Sequence, residues 1–355
     1  MRYALRKRWV RVLASYALAV AGLILGAYLL VPKMSELKAI GSVLNDSDTW
    51  LLLVAGALEL VSIWFYALTT RELTERYKNL VSKRFILAVT VAATAIGNSL
   101  PLGAGVTAVY AFRKLESCGV KRKESALAVG ATNAVAVATL AVLAALSAFI
   151  GGSNLLSGLD IIVLTGIGVL AFLVVAYIHV FVLAIVYLFG ILRGVRKYSF
   201  QEARERARAD GIRVAEFELS RTSITIASFY AFLNWLFDLM ALLLAVYIVH
   251  ANVPLFGVVA AYFVGALAAN LPITPGGLGV VEGSLAVALI AFGGGRTSVL
   301  AAVLLYRLVS FWIWLPSGWI VHFAMSFFAH RRKTSEVVFR GRLHGEEVSN
   351  RCELQ

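Results

Sequence analysis

The sequence is poor in charge, cysteine and proline. Only 15% of its 355 residues are charged and 60% are hydrophobic, whereas a soluble domain carries roughly a quarter charged residues. Mean hydropathy is +0.82. So little charge cannot cover a water-facing surface, which excludes an ordinary soluble domain and indicates a polytopic membrane protein. The two cysteines, Cys118 and Cys352, lie in charged stretches, which argues against a disulfide framework. No Cys/His cluster has metal-ligand spacing, and there is neither a Walker phosphate loop nor a GxSxG elbow. No metal, no cofactor and no enzymatic activity are therefore expected. The first apolar run, Val12 to Val31, has the length of a span and no small-residue cleavage site, so no cleavable signal peptide is read there.

What is abundant is apolar sequence in span-sized blocks. Windows of about twenty residues predict six full spans, at Val10–Leu30, Trp50–Leu68, Ser125–Ile150, Ile161–Leu192, Ile224–Val249 and Ser298–Phe328. Two further apolar stretches, Phe85–Phe112 and Leu255–Phe292, are broken in the middle by proline and glycine.

The net charge of +13 raises the question of nucleic acid, and its distribution answers it. Five regions hold 29 of the 33 Lys and Arg: the N-terminus, residues 70–84, 113–123 and 193–221, and the tail after Ala329. The segments between them hold only Lys33, Lys38 and Arg296, and Arg307 lies inside a span. Under the positive-inside rule the basic regions face the cytoplasm, with both termini there, in a cell membrane. No nucleic-acid partner is expected.

The same sorting interprets the broken stretches. Both flanks of Phe85–Phe112 are basic, and both flanks of Leu255–Phe292 are poor in cations. A segment that begins and ends on one side has not crossed, so each reads as a re-entrant hairpin, one dipping from the cytoplasm and one from outside. A pair of full spans would need about forty residues; the first stretch has 28, while the second, with 38, leaves its depth open.

A shift of 174 residues aligns the two stretches without a gap. Pro101 falls on Pro275, Gly103 on Gly277, Gly105 on Gly279, Gly119 on Gly293 and Arg122 on Arg296. Four Pro and Gly identities carry weight in a chain with only 6 Pro and 29 Gly. With the loop charges, the two copies have opposite orientation, the arrangement of alternating-access transporters. The rival reading is that Pro and Gly only kink helices and permit close packing. The fold class expected is all-α: a polytopic protein of six or more spans plus two re-entrant hairpins in an inverted repeat. One transmembrane domain would cover 1–330, with copies at about 50–150 and 224–328 joined by a basic cytoplasmic segment, 193–223. Residues 331–355 would form a polar cytoplasmic tail. The basic segment reads either as a surface helix on anionic headgroups or as a solvated linker.

Four ionisable groups fall within apolar segments and are functional candidates by default: Glu59, Asp238, Glu282 and Arg307. Buried Arg307 needs a partner, which is Glu282 or, alternatively, Asp238. The pair is either a strut between hairpin and helix or a site where Arg307 takes a lipid phosphate. Glu59 and Asp238 read as helix–helix anchors, proton-coupling sites, or both. Pro275, Gly276, Gly277 and Gly279, with Pro101, Gly103 and Gly105 in the first copy, would unwind the hairpin tips, and such backbone survives at membrane depth only within protein or beside a wet cavity. A half-helix N-terminus at a tip would suit a phosphate. Asn98 and Asn270 flank the tips and would cap the breaks. Arg113 and Lys114 would gather phosphates at the inner leaflet.

The stretch "NLPITPGGLGVVEG" followed by "VLLYRLVSFWIWLPSGW" resembles the flippase-like membrane region of lysylphosphatidylglycerol synthases and related stand-alone proteins. The stretch "GNSLPLGAGVTAVYAFRKLESCGVKRKESALA" is similar to that family's earlier proline-glycine segment, and the resemblance spans about residues 10–330. It implies movement of a phospholipid or lipid-linked headgroup between leaflets, with membrane lipids as partners and homo-oligomerisation left open. The synthase's soluble domain has no room after Phe328, so lysyl-lipid synthesis is not implied. This sequence also lacks the Gly-Glu pair of the family's first segment, reading "GAGVTA" instead. Two other functions stay in view: a transporter of a small soluble solute, and a non-transporting partner of a lipid-modifying enzyme.

Overall fold

The computed structural model describes residues 49–74, 77–100, 103–151, 219–270 and 274–340. Among these the chain is helical, with no strand element: α1 Thr49–Glu72, α2 Lys83–Asn98, α3 Gly103–Ser117, α4 Arg122–Gly151, α5 Arg221–Ile248, α6 Leu255–Ala269, a 3-10 turn Pro275–Gly277, α7 Val280–Ala291, α8 Arg296–Arg307, a π-turn Leu308–Trp312, and α9 Trp314–Arg340. The predicted spans Val10–Leu30 and Ile161–Leu192, and Pro101 at the first tip, lie outside the described residues.

Four stretches are long and apolar enough to cross a membrane: Trp50–Glu72, Arg122–Ser147, Arg221–Ile248 and Arg296–Phe328. They coincide with four of the six predicted spans. Their outward faces are apolar, with Leu53, Phe229 and Ile320 mostly exposed, as expected where the solvent is lipid. At the far end α9 stays helical to Arg340, so the tail expected from residue 331 begins as helix.

Serines start two helices. Ser82 accepts from Phe85 N at the head of α2, and Ser220 from Ser223 N at the head of α5, each satisfying an orphan donor. α1 and α5 pack antiparallel, because Glu72 takes the Ser223 hydroxyl at one end while Asn234 reaches Ser62 further along. Phe65 stacks on Phe237 between them, centroids 5.7 Å apart.

The broken stretches form two pairs of short helices, α2 with α3 and α6 with α7, each packed against its mate. The longest arm has 16 residues, about 24 Å at 1.5 Å per residue, short of a ~30 Å hydrocarbon core. The open end of the first pair packs with Ala67, Phe85, Leu115, Val120 and Met325 in one core cluster. The open end of the second pair packs in another, with Leu51, Val249, Val258, Leu289 and Val299. Leu51 and Ala67 lie toward opposite ends of α1, so the two pairs open at opposite ends of the bundle.

The exits of both pairs share one backbone motif. Gly119 has φ +90° and Gly293 φ +95°. Val120 N donates to Leu115 O, and Gly294 N to Leu289 O; Gly119 N donates to Glu116 O, and Gly293 N to Ile290 O. This is a helix C-terminal cap needing a left-handed residue, and it recurs at a spacing of 174 residues.

Cys118 is buried in the core cluster at the open end of the first pair.

Close packing of the first pair depends on two glycines. A Cβ on Gly97 would sit 2.7 Å from Gly103 O, and one on Gly103 would sit 2.3 Å from Gly97 O. Gly105, in the same helix, has nothing within 4 Å. Gly103→Ala is expected to destabilise by about 1–3 kcal/mol through overpacking, while Gly105→Ala is expected to be neutral or slightly stabilising on helix propensity. Denaturant unfolding in detergent micelles distinguishes them; equal effects would contradict the close approach.

Candidate functional site

The second break is built from left-handed glycines. Gly276, Gly277 and Gly279 have φ of +59°, +67° and +81°, and Pro275 opens the 3-10 turn that holds the first two. The turn frees backbone groups, and side chains from other elements take them up. Arg307, at the end of α8, donates from Nη2 to Gly276 O and from Nε to Glu282 Oε1, each at 2.9 Å. The other oxygen of Glu282 accepts from Gly279 N at 2.7 Å, capping α7. Glycine has no side chain to return the bond, so this is half of a capping box. The Phe311 ring, in the π-turn, lies 4.3 Å from the guanidinium carbon. Arg307 and Glu282 are both buried. A π-turn directly after such a residue is a frequent companion of functional sites.

One residue before Arg307 begins a second group. Tyr306 OH donates to Asp238 Oδ1 at 2.8 Å, and Tyr262 OH to Asp238 Oδ2 at 2.9 Å. The antiparallel register that sets Ser62 on Asn234 and Phe65 on Phe237 brings Glu59 of α1 to face Asp238 of α5. Glu59 is 6% exposed, and its Oε2 is buried without a hydrogen-bond partner. Five elements thus converge on one polar cluster: α1, α5, α6, α7 and α8.

The two tips also meet. A Cβ on Gly276 would stand 3.1 Å from Asn98 O, at the end of α2. The sequence placed Asn98 as a capping residue, but Ser99 caps this break, donating Oγ to Ala95 O at 2.8 Å. Ser99 Oγ in turn accepts from Trp319 Nε1 of α9. Asn270 does cap, though at a C-terminus, with Nδ2 donating to Ala266 O at 2.9 Å. The α7 N-terminus expected to greet a phosphate already holds the Glu282 carboxylate. Gly105 and Gly279 are exposed, and Gly103 serves the packing of α2 on α3. Arg113 is exposed on the last turns of α3, about 15 Å along the axis from Gly103. Beside it Lys114 lies over the Tyr110 ring, and Tyr110 OH contacts His322 Nδ1 at 2.8 Å.

Of the two partners open to Arg307, Glu282 is the bonded one; Asp238 is held by tyrosines instead. Sequence reading missed Tyr262 and Tyr306. The available signal was a phenol set deep in apolar sequence, since a buried tyrosine hydroxyl needs a partner.

A narrow groove lies between α1, α4 and the first helix pair, lined by Thr70, Thr90, Thr107, Thr132 and Asn133 among apolar side chains. Thr132 and Thr107 spend their hydroxyl protons on helix carbonyls, Ala128 O and Ala93 O.

Membrane-length helices, paired broken helices and a buried carboxylate–tyrosine–arginine cluster define a polytopic membrane protein with polar chemistry within its apolar helices. The profile of the lysylphosphatidylglycerol synthase TM region matches residues 9–318, and the chain belongs to that family. The family points to a lipid-related role in a membrane. No curated protein matches the chain at a significant level.

Proposed function

We propose that this protein is a transporter that moves a phospholipid or lipid-linked headgroup between leaflets, along a polar path where two inverted repeats meet. The observation that carries this reading is the meeting of two helix breaks, Asn98 against Gly276, beside a buried polar cluster. Helix pairs that open at opposite ends of the bundle and the cap repeated 174 residues apart support an inverted repeat, the architecture in which such breaks meet at the membrane centre. On this reading each pair is a re-entrant hairpin, α2–α3 from the cytoplasm and α6–α7 from outside, with both termini cytoplasmic. The headgroup passes beside the tips while acyl chains remain in lipid. Arg113 and Lys114 collect phosphate at the cytoplasmic mouth, and the threonine-lined groove offers oxygen acceptors behind it.

Arg307 and Glu282 act as a strut on this reading. Two of the five N–H donors of Arg307, on Nε and Nη2, are committed to Glu282 and Gly276 O, which ties α8 to the hairpin tip. Family membership in a lipid-related membrane region favours lipid over a soluble solute.

Purified protein in liposomes carrying a head-labelled fluorescent phospholipid, bleached from outside by an impermeant reductant, tests the reading. Bleaching should pass beyond the outer leaflet when protein is present. Bleaching that stops where it does in protein-free vesicles, for phospholipid and lipid-linked probes alike, contradicts it.

A further inference from the structure

We infer that Glu59 and Asp238 form a one-proton site, with the proton on Glu59 and Asp238 as its fixed anionic partner, and that release of this proton is coupled to lipid movement. The coupling half rests on the lipid-translocation reading; the proton half stands apart from it.

Asp238 is fixed by its partners. Each of its oxygens accepts a phenol hydrogen, from Tyr306 at 2.8 Å and Tyr262 at 2.9 Å, the arrangement of an ionised carboxylate acting purely as acceptor. Two phenols cannot both donate in this way to a carboxyl that keeps a proton of its own without crowding one oxygen. Glu59 has the opposite surroundings. It is buried, its Oε2 has no hydrogen-bond partner, and the carboxyl it faces across the α1–α5 contact is Asp238. A hydrogen bond between two carboxyls requires a proton between them, and Glu59 is the member free to supply it.

Charge bookkeeping agrees. The charged groups acting on both carboxyls are each other and Arg307, and Arg307 is already paired with Glu282. With Glu59 neutral the cluster of Asp238, Glu282 and Arg307 carries one net negative charge. A Glu59 carboxylate would make it two, with unpaired anions side by side away from water. Ionising Glu59 therefore requires a change in the cluster: water reaching Oε2, or Arg307 leaving Glu282. Arg307 also holds the hairpin tip through Gly276 O. Proton loss at Glu59 and movement of the tip are thus linked through one guanidinium, the differential contact that coupling demands. The site lies between α1 and α5, whose register is locked one turn away by Asn234 on Ser62, so the carboxyls cannot simply drift apart.

Infrared spectroscopy of the full chain in lipid tests the proton directly. The wild type should show a protonated-carboxyl carbonyl band at neutral pH. Glu59→Gln should lose that band, and Asp238→Asn should keep it at a shifted frequency. An unchanged band in Glu59→Gln, or a band lost only in Asp238→Asn, overturns the assignment. Reconstituted translocation under imposed pH gradients tests the coupling. Wild-type flipping should follow the gradient, and Glu59→Gln, which keeps size and hydrogen bonding, should flip lipid without regard to it. Wild-type flipping that ignores pH, or follows a sodium gradient instead, overturns the coupling and leaves the proton site standing. A wild type that moves no lipid removes the translocation reading, while the infrared band still decides the proton.

Discussion

Replacing Arg307 by methionine is expected to cost on the order of 3–5 kcal/mol, the range seen when one member of a buried ion pair is removed. Three partners lose a contact at once. Glu282 keeps a buried carboxylate facing no cation, Gly276 O loses its donor, and Phe311 loses the charge above its ring. The loss should appear in denaturant unfolding of the micelle-embedded protein. Arg307→Lys should recover only part of it, because one ammonium cannot serve Glu282 and Gly276 O with the reach of a fork. Arg307→Met combined with Glu282→Leu should be more stable than Arg307→Met alone, since the stranded charge is gone. A double variant no better than the single would show that the pair is not coupled, and the strut would fall.

Gly276→Ala is the second large effect. A non-glycine residue at φ +59° costs about 1–2 kcal/mol on conformation alone. Here its Cβ would also stand 2.3 Å from Phe311 Cε2, adding an overpacking cost of about 1–3 kcal/mol. Gly279→Ala separates the two contributions. Gly279 has φ +81° with nothing within 4 Å, so it should suffer only the conformational part. Trimming the ring with Phe311→Leu beside Gly276→Ala should return the clash part. Because Asn98 O lies on the far side of the same spot, Gly276→Ala should also separate the two tips and lower lipid movement more than it lowers stability. Equal destabilisation by Gly276→Ala and Gly279→Ala would contradict the tip geometry.

Much of this arrangement was readable from residue types. Spans follow from apolar length, and the four that fall among the described residues appear as helices. The breaks follow from Pro275 and its glycines, because glycine takes a positive φ without the cost a Cβ imposes. The 174-residue shift put Gly119 on Gly293, and both prove left-handed within the same cap. The Arg307–Glu282 pair followed from the rule that a buried guanidinium needs an acid. Other features depend on where helices touch. That Tyr262 and Tyr306 both serve Asp238 requires α6 and α8 to lie against α5, which no spacing along the chain encodes. Ser99 rather than Asn98 caps the first break because the helix runs through the asparagine and leaves the cap position to the next residue, and a shift of one residue is below what pattern can fix. Glu282 as a cap for Gly279 was hidden for the same reason: the motif showed the acid, while its direction depends on where α7 begins.

The side from which each helix pair enters is the point on which the inverted repeat stands. In a chain whose own cysteines are replaced by alanine, single cysteines introduced by Asn79→Cys, Lys121→Cys, Asn252→Cys and Thr297→Cys sit at exposed positions flanking the two pairs. An impermeant maleimide applied to oriented vesicles should label Asn79→Cys and Lys121→Cys from the cytoplasmic side alone, and Asn252→Cys and Thr297→Cys from the outer side alone. Labelling of Asn79→Cys and Lys121→Cys from opposite sides, or of Asn252→Cys and Thr297→Cys from opposite sides, would mean that the broken helices cross the membrane, and the opposed tips would be lost with it.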